Sequence, residues 1–455
     1  IKNSGFGFPV KKIIVNLAPA GVKKEGAVFD LAIAVGILAS HGEIERDALR
    51  DYVFLGELSL NGSLRKVKGM LSVALFYRKK NIKGIILPLE NCREASIVKE
   101  VPLFPARNLR EVAEFLKGKK VIAPFECAEE PADSPLPVPD FEDVKGQVLA
   151  KKACEVAAAG AHNLLFVGPP GTGKSMLAQR FPGILPELTV EESLETTRIY
   201  SVSGLLEEGR LIRTRPFRSP HHTISDIALV GGGSYPRPGE ISLANNGVLF
   251  LDELPEFNRG VLETLRAPME ERVITISRVS RSILYPADFM LLASMNPCPC
   301  GFLGHPRKEC VCGQGQIAKY RKKISGPILD RIDLQVEVPA LELEELKTDS
   351  PALGSEEMKK RVQRAREIQR ERYRGTGIRT NSHMGPKDIK RFVSLHKEAE
   401  KLLEKSVEIF SFSARVYHRL MKISRTIADL EGSESITGEH VAQAVQFRNL
   451  DKPVA

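Results

Sequence analysis

The stretch from Gly168 to Ser175 limits the fold of this chain more than any other, because it matches the G-x-x-x-x-G-K-[ST] pattern of a phosphate-binding loop. An apolar run at 164–167 precedes it and predicts a buried strand, and a helical pattern at 175–181 follows it. An ordinary Gly/Pro turn is the alternative, but the strand–loop–helix setting favours a loop whose backbone N–H groups surround phosphates. We expect Lys174 to meet the β- and γ-phosphates of ATP, and Ser175 to bind Mg²⁺. The predicted nucleotide-binding residues here are Gly168, Pro169, Pro170, Gly171, Thr172, Gly173, Lys174 and Ser175.

Length and charge set broader limits. The chain has 455 residues, which predicts about three domains. Its 66 Lys and Arg against 57 Asp and Glu give a net charge of +9, which is compatible with a polyanionic partner but is also common among cytosolic proteins. Its apolar runs are shorter than the ~18–20 residues of a membrane span. The chain starts at Ile1 with no charged-then-apolar leader, so we expect a cytoplasmic protein with no membrane partner, and we expect Ile1 to lie inside a domain.

Composition and periodicity divide the chain into a compact α/β domain, an acidic Pro-rich linker, a core around the phosphate loop, a basic connecting helix and a helical lid. The predicted bounds are 1–125, 126–139, 140–345, 346–383 and 384–455, respectively. The first domain includes a predicted strand at 12–16. The connecting helix has eight basic and two acidic residues between Lys359 and Arg374. It could contact DNA, or it could be a solvated linker helix.

Two more apolar runs each end in polar residues. The run at 248–251 is followed by Asp252 and Glu253, and the run at 291–295 is followed by Asn296. Downstream of a phosphate loop, we expect Asp252 to hold Mg²⁺ through water and Glu253 to polarise the attacking water. We expect Asn296 to hydrogen-bond the γ-phosphate or that water. The alternative, an Asn that caps a turn, is disfavoured by the order of the three motifs along the chain.

Two insertions carry clustered arginines. The first, at about 188–239, contains Arg215 and Arg218. The second, at 273–285, predicts a β-hairpin with Arg278 and Arg281 near its tip. Clustered basic side chains of this kind could contact a nucleic acid. Solvated surface arginines remain the alternative, since charge clusters are usually solvated.

Four of the seven cysteines form two C-x-C pairs with nine residues between the pairs. Four thiolates at such spacing can close tetrahedrally on Zn²⁺, and they would leave no open coordination position, which favours a structural site. Reduced thiols or a redox pair are the alternative. The predicted ligands are Cys298, Cys300, Cys310 and Cys312.

Across essentially its whole length, the chain resembles the ComM/YifB-like branch of the magnesium-chelatase-like AAA+ ATPase family. The likeness rests on the motifs above, the block from Arg215 to His222 and the Asp330-Arg331 segment. It implies an α/β fold: a P-loop AAA+ core with a parallel sheet between helices, a helical lid, and an N-terminal Lon-protease-like domain that is truncated at its start. The two insertions resemble the helix-2 insert and the pre-sensor-1 hairpin of this clade.

The Lon-like part resembles its family in Lys24-Glu25-Gly26 and Gly56-Glu57-Leu58. Lon proteases have their nucleophilic serine where this chain has Val28 and their lysine near the position of Leu71. Serine–lysine peptidase chemistry needs a hydroxyl and an amine of low pKa. We therefore expect no proteolysis.

The resemblance also implies roles that spacing does not. Gln147 would lie near the adenine, with a simple helix N-terminus as the alternative. Arg331 would be an arginine finger that reaches the γ-phosphate in a neighbouring subunit; without the resemblance, a local partner of an Asp is the alternative. Arg415 would be sensor 2, a further γ-phosphate contact, with a surface arginine on a lid helix as the alternative. These roles imply a homo-oligomer, a hexameric ring in this family.

For function, the resemblance implies a ring-forming ATPase that couples ATP hydrolysis to DNA translocation, as a branch-migration helicase in homologous recombination during natural transformation. Two alternatives remain open. One is a chelatase-type motor that remodels a protein partner loading Mg²⁺ into a porphyrin. The other is a nucleotide-dependent protein-binding scaffold without DNA contact.

Overall fold

The computed structural model of the chain describes residues 1–17, 27–126, 138–207, 209–233, 236–278, 281–341 and 353–448, with the backbone alone at Arg278 and Arg281. The α-helices in these ranges, numbered α1 to α18 in chain order, are Asp30–Ser40, Met70–Tyr77, Leu89–Ala95, Leu109–Leu116, Val148–Gly160, Lys174–Arg180, Val190–Ser203, Asp226–Val230, Glu240–Leu243, Arg259–Glu263, Pro268–Glu271, Gln314–Arg321, Gly326–Leu329, Ser355–Arg372, Pro386–Phe392, Lys397–Phe410, Ala414–Leu430 and Gly438–Gln446. The strands in the same ranges, β1 to β14, are Tyr52–Phe54, Glu57–Leu58, Leu64–Arg65, Gly84–Pro88, Leu103–Ala106, Leu164–Val167, Phe217–Arg218, Gly231–Gly232, Arg237–Pro238, Val248–Leu251, Val273–Arg278, Arg281–Pro286, Met290–Met295 and Leu334–Glu337.

The chain forms two compact units, each built from several segments. The first unit comprises Ile1–Asp133, Thr189–Arg213 and Ser277–Ile283. The second comprises Ser134–Leu188, Thr214–Ile276 and Leu284–Ala455. Helix α7, from the first predicted insertion, therefore belongs to the same unit as the N-terminal segment.

A three-stranded parallel sheet in the order β1-β4-β5 forms the centre of the first unit. Strand β4 is buried along its length and alternates its side chains between two hydrophobic clusters. Ile86 packs with α1 and α4, whereas Ile85 and Leu87 pack with α2 and α3. The unit is thus a three-layer α/β/α arrangement.

Helix α7 is fastened to this unit by a buried carboxylate. Glu94 in α3 is 3% exposed and accepts hydrogen bonds from the Leu71 backbone N–H (3.0 Å) and from Ser201 Oγ (2.5 Å). A carboxylate buried without such donors would cost several kcal/mol. Glu94 therefore joins α2, α3 and α7.

The strand predicted at 12–16 is wrong. The backbone is irregular over residues 11–17, and Ile14 is 80% exposed. β-branched residues favour a strand because they pack well on a half-buried pleated surface, and this segment provides no such burial for Ile14.

The second unit is built on a five-stranded sheet in the order β14-β6-β13-β10-β7, with every neighbouring pair parallel. Val167 pairs with Met295, and Leu251 with Ala293, so β6, β13 and β10 end close to one another. The carboxyl ends of parallel strands share one edge of a sheet, which is where such folds bind ligands. The loops after these three strands therefore meet.

Helix α5 lies within this unit and carries small buried residues, including Ala153 and Ala157. Helix α14 satisfies the last carbonyls of α5: Arg366 donates to Ala158 O (2.9 Å) and Gln369 donates to Ala159 O (3.0 Å). Helices α16, α17 and α18 share one hydrophobic cluster with the sheet. Across the described ranges, every helix is too short or too polar to cross a membrane.

Candidate active site

The phosphate loop joins β6 to α6. Gly171 (φ 78°) and Gly173 (φ 91°) have the left-handed backbone that favours glycine. Gly168 is required for a different reason: a Cβ there would lie 2.1 Å from the carbonyl oxygen of Val338. The loop is therefore shaped by both its own conformation and the backbone that follows β14.

Lys174 lies at the start of α6 and is 8% exposed. Its Nζ donates hydrogen bonds to Gly168 O (2.6 Å), Pro169 O (2.7 Å) and Asn296 Oδ1 (3.3 Å). The structure thus brings together the predicted phosphate-binding lysine and the Asn that follows β13.

Burial lowers the pKa of Lys174 to about 8, although the nearby carboxylates of Asp252 and Glu253 oppose the shift. Removing an ammonium group from water disfavours its charged form. A bound phosphate would supply the negative charge that favours it.

Two hydroxyl groups hold the carboxylate of Asp252. Ser175 Oγ donates to Asp252 Oδ2 (2.8 Å), and Ser294 Oγ donates to Asp252 Oδ1. Hydroxyl and carboxylate oxygens, together with substrate phosphates, are the ligands that Mg²⁺ takes in such sites. The donor set therefore fits a magnesium site at Ser175 and Asp252.

Glu253 follows Asp252 with an unusual backbone. Its φ is 55°, in the left-handed region that non-glycine residues rarely adopt, at a cost of about 1–3 kcal/mol. Its backbone N–H donates to Ser294 Oγ (3.2 Å), and its side chain is exposed. Ser294 thus contacts both residues of the acidic pair.

Gln147 precedes α5 and is 7% exposed. Its side-chain amide donates to Pro339 O (2.8 Å) and to Thr172 O of the phosphate loop (3.3 Å). The structure therefore places Gln147 against the loop that is predicted to bind phosphates.

Arg331 and Arg415 are brought to a different carboxylate, that of Glu270 in α11. The Arg331 guanidinium, 11% exposed, donates to Pro327 O (2.7 Å) and pairs with Glu270. The hydrogen bond from Arg331 lowers the pKa of Glu270, and the positive charge of Arg415 has a smaller effect in the same direction. The Nε of Arg331 is buried with no hydrogen-bond partner among the described residues. The two predicted arginines thus share one surface region.

Arg215 and Arg218 make internal contacts. Arg215 donates to Pro186 O and Asn246 O (2.7 Å each), and Arg218 pairs with Glu240 through two hydrogen bonds of 2.6 and 2.8 Å. These contacts fix the backbone around β7 and α9. They give both arginines a structural role within the second unit.

Arg278 ends β11 and Arg281 begins β12, so the predicted hairpin is present. The side chains of both arginines lie outside the described part of the chain. Whether they contact DNA stays a prediction.

The four clustered cysteines converge. The Sγ atom of Cys298 lies 3.4 Å from that of Cys300 and 3.6 Å from that of Cys310, and all four Sγ atoms, including that of Cys312, lie within 4.8 Å of one another. A tetrahedral Zn²⁺ site with Zn–S bonds of about 2.3 Å spaces its sulfur atoms by about 3.8 Å. A hydrogen bond from the Phe302 backbone lowers the pKa of Cys300 to about 6.

Sequence reasoning missed Ser294 and Glu270. The signal for Ser294 was available, because it is the one hydroxyl in the last four residues of the apolar run before Asn296. Glu270 gave no comparable signal, since its pairing with Arg331 joins residues 61 positions apart.

Three family models match the chain, and all describe the magnesium chelatase subunit ChlI. "Subunit ChlI of Mg-chelatase" matches residues 1–91, "Magnesium chelatase, subunit ChlI" matches 140–346, and the model of the ChlI C-terminal region matches 352–448. The matches follow one another along the chain, which favours a shared architecture rather than an isolated motif.

Individual proteins are similar to this chain over different shares of its length. Competence protein ComM of Haemophilus influenzae is 44% identical, over 99% of this chain and 88% of that protein. The uncharacterized protein YifB of Salmonella typhimurium is 42% identical, with the same coverage of 99% and 88%. The magnesium-chelatase 67 kDa subunit of Chlorobaculum parvum is 29% identical over 34% of this chain and 23% of that protein. On this similarity, together with its parallel sheet flanked by helices, the chain belongs to the magnesium chelatase ChlI family of AAA+ ATPases, alongside ComM and YifB.

Proposed function

We propose that this AAA+ ATPase couples ATP hydrolysis to movement along DNA, as a branch-migration helicase in homologous recombination during natural transformation. The observation that carries the proposal is the convergence of Lys174, Asp252 and Asn296 at one edge of the sheet. The choice of DNA is supported by the family resemblance, by the similarity to a protein named a competence protein, and by the net charge of +9.

In the proposed reaction, the Lys174 ammonium binds the β- and γ-phosphates of ATP. Ser175 and Asp252 would hold Mg²⁺, which when bound neutralises phosphate charge. Glu253 polarises the attacking water, and Asn296 donates a hydrogen bond to that water or to the γ-phosphate. In this proposal, Gln147 lies near the adenine and also contacts the phosphate loop.

We propose that a second copy of the chain completes the site. Arg331 and Arg415 bind Glu270 or lie near it within the chain, while Lys174 and Asp252 converge at the sheet edge. An arginine supplied by a neighbouring subunit stabilises charge in the phosphoryl-transfer transition state. This arrangement favours a closed ring, and the resemblance implies a hexamer.

Contacts to DNA are assigned to the tip of the β11–β12 hairpin, at Arg278 and Arg281. The basic helix α14 contributes less than its charge indicates, because several of its cations support the core. Arg361 pairs with Glu155 (2.9 Å), and Arg372 pairs with Asp429. Arg215 and Arg218 act in this proposal by holding β7.

A chelatase-type motor is the second candidate, because the matching family models carry that description. The 29% identity to a named chelatase subunit, however, extends over only 34% of this chain. A third candidate, a nucleotide-dependent scaffold, predicts no response to DNA.

The test is ATP turnover by the purified chain with no DNA, with forked DNA and with four-way DNA, at several salt concentrations. We expect turnover to rise with DNA, and the DNA concentration needed for half-maximal stimulation to increase with salt, because phosphate contacts release counterions. Equal turnover with and without DNA, and no salt-dependent binding, would overturn the helicase assignment while leaving the ATPase intact.

We also propose that the four-cysteine cluster holds Zn²⁺. Four thiolates with sulfur–sulfur separations of 3.4 to 3.6 Å among three of them match a tetrahedral thiolate site. The ligands would be Cys298, Cys300, Cys310 and Cys312.

A further inference from the structure

We infer that the zinc site positions residues of the ATP site. By closing the loop between the two Cys-x-Cys pairs, the metal fixes Asn296 and Pro170 in position. The inference rests on the zinc assignment proposed above and adds a role that the assignment does not contain. It involves residues of the second unit only.

The loop that joins the two Cys-x-Cys pairs is called the metal loop below. Its first end lies directly against the phosphate loop. Cys298 follows Asn296 by two residues, and the Gly301 N–H donates to Cys298 O (3.0 Å) to close a tight turn. Gly301 has φ 84°, and a Cβ there would lie 2.7 Å from Pro170 Cδ and 3.8 Å from Asn296 Cγ. The turn that carries two of the cysteines therefore supports both Pro170 and the side chain of Asn296.

The second end of the metal loop returns to the same asparagine. Helix α12 begins two residues after Cys312 and brings back Tyr320, which is 8% exposed. Burial raises the pKa of the Tyr320 hydroxyl to about 12, and the nearby backbone N–H of Asn296 opposes this shift. Next to it, Arg321 Nε donates to Pro297 O (3.4 Å). Asn296 is thus supported from both ends of the loop.

Short-range contacts support the segment between these ends, such as that between the Phe302 and His305 rings. Residues 301–313 contain no helix or strand, and Val311 is 82% exposed. The Cys300 N–H donates to Cys312 Sγ (3.4 Å), which links the two pairs across the cluster. Structural zinc sites supply the folding free energy that such segments lack. Without the metal, neither support of Asn296 would be fixed.

The first experiment compares zinc content, nucleotide affinity and DNA-free ATP turnover in the full chain. The double variant Cys310→Ser/Cys312→Ser removes two ligands, and Val311→Ala, in the same loop, is the matched control. We expect about one zinc per wild-type chain, as for a four-thiolate site, and the same in Val311→Ala. The double variant should lose the metal and turn ATP over about tenfold more slowly or worse, because small displacements of catalytic groups are costly.

The second experiment keeps all four ligands. Gly301→Ala forces a methyl group against Pro170, whereas Gly304→Ala places one at a similar φ of 76° with no neighbour within 4 Å. We expect both variants to retain zinc. Gly301→Ala should lower ATP turnover by about tenfold or more, since the displaced atoms belong to the phosphate loop. Gly304→Ala should match the wild type.

Different results would overturn the zinc site itself and its role in positioning the ATP site. Zinc-free wild-type protein that cannot be reconstituted overturns the metal site. Wild-type ATP turnover in the zinc-depleted double variant would overturn the positioning role of the zinc site. Equal turnover in Gly301→Ala and Gly304→Ala would do the same. Because turnover is measured without DNA, failure of the helicase proposal leaves these readouts unchanged.

Discussion

The carboxylate of Asp252 is oriented by two hydroxyls from separate elements. Ser175 belongs to the phosphate loop, and Ser294 lies in β13, where it is 1% exposed. Groups that hydrogen-bond a metal ligand fix its orientation and its basicity. Ser294 is therefore a positioning residue for the proposed magnesium site.

Replacing Ser294→Ala should lower the apparent affinity for Mg²⁺, measured as the Mg²⁺ concentration that gives half-maximal ATP turnover, by about 10- to 100-fold. The matched control is Ser242→Ala, since Ser242 is fully buried and its hydroxyl has no hydrogen-bond partner among the described residues. The control should keep wild-type Mg²⁺ dependence. An unchanged Mg²⁺ dependence in the Ser294 variant would remove its positioning role.

The pKa of Lys174 predicts proton uptake on nucleotide binding. The pKa lies at about 8 in the free site, and bound phosphate charge should raise it. Below that value the amine is already protonated, whereas above it binding must draw a proton, so ATP affinity should fall as the pH rises. Calorimetry with a non-hydrolysable ATP analogue, in buffers of different ionisation enthalpy, measures this uptake.

At about pH 9 the binding heat should depend on the buffer, and at about pH 7 it should not. Lys174→Arg is the matched control, because a guanidinium stays protonated at both pH values. A binding heat that is independent of the buffer at the higher pH would contradict the lowered pKa.

For single residues, the sequence predicts which side chains take part in ATP chemistry better than it predicts which side chains contact one another. Lys174, Asp252 and Asn296 were identifiable because each follows or ends a buried apolar run, and the parallel sheet brings those ends together. The contact between Arg331 and Glu270 was not predictable, since it depends on how the turn after α13 packs against α11. The same is true of Arg218, whose charge indicated solvent but whose partner is Glu240.

Among the elements, helix α14 is joined to helix α17 by the buried carboxylate of Asp429. Arg372 donates to it (2.9 Å), Arg425 donates to it (3.1 Å), and Asn381 donates to it (2.8 Å). The side chain of Asp429 is fully buried, and that of Arg425 is 1% exposed. Removing one member of such a network leaves buried charge uncompensated.

Asp429→Ala should therefore lower the free energy of unfolding by about 3–5 kcal/mol, measured by urea denaturation. The matched control is Glu371→Ala, since Glu371 pairs with Arg374 at 2.8 Å with both side chains more than two-thirds exposed. An exposed pair contributes at most about 1 kcal/mol. Equal effects of the two substitutions would contradict the structural role of Asp429.

Element prediction succeeded where burial and periodicity agreed. Strand Leu164–Val167 has the predicted bounds, because its apolar residues pack into a core. The segment at 12–16 contains three consecutive apolar residues, Ile13 to Val15, but forms no strand. Strand formation depends on tertiary pairing, which local sequence does not encode. The attachment of α7 to the N-terminal unit also could not be predicted from the sequence, since it depends on Glu94, which is 107 positions from Ser201 in the chain.

For the whole molecule, the account requires that each ATP site be shared between copies of the chain. Arg331→Ala and Glu253→Gln should each lower ATP turnover, the first by about 10³-fold if it removes an arginine finger. Mixing the two variants should restore part of the turnover, because some interfaces then combine an intact Glu253 with an intact Arg331. Size-exclusion chromatography verifies that mixed assemblies form.

If the mixed assemblies form but stay as inactive as their components, the site is not shared. Wild-type turnover in Arg331→Ala would exclude the ring mechanism altogether. Arg374→Ala is a suitable surface control, since that exposed arginine pairs only locally with Glu371.

The central claim is that ATP hydrolysis by this chain drives movement along DNA. The most direct measurement is branch migration of a labelled four-way junction by wild-type protein and by Glu253→Gln, each with ATP and Mg²⁺. We expect the wild type to convert the junction to duplex products, and Glu253→Gln to bind the junction but leave it intact. A wild-type protein that hydrolyses ATP on the junction without moving its branch point would contradict the account.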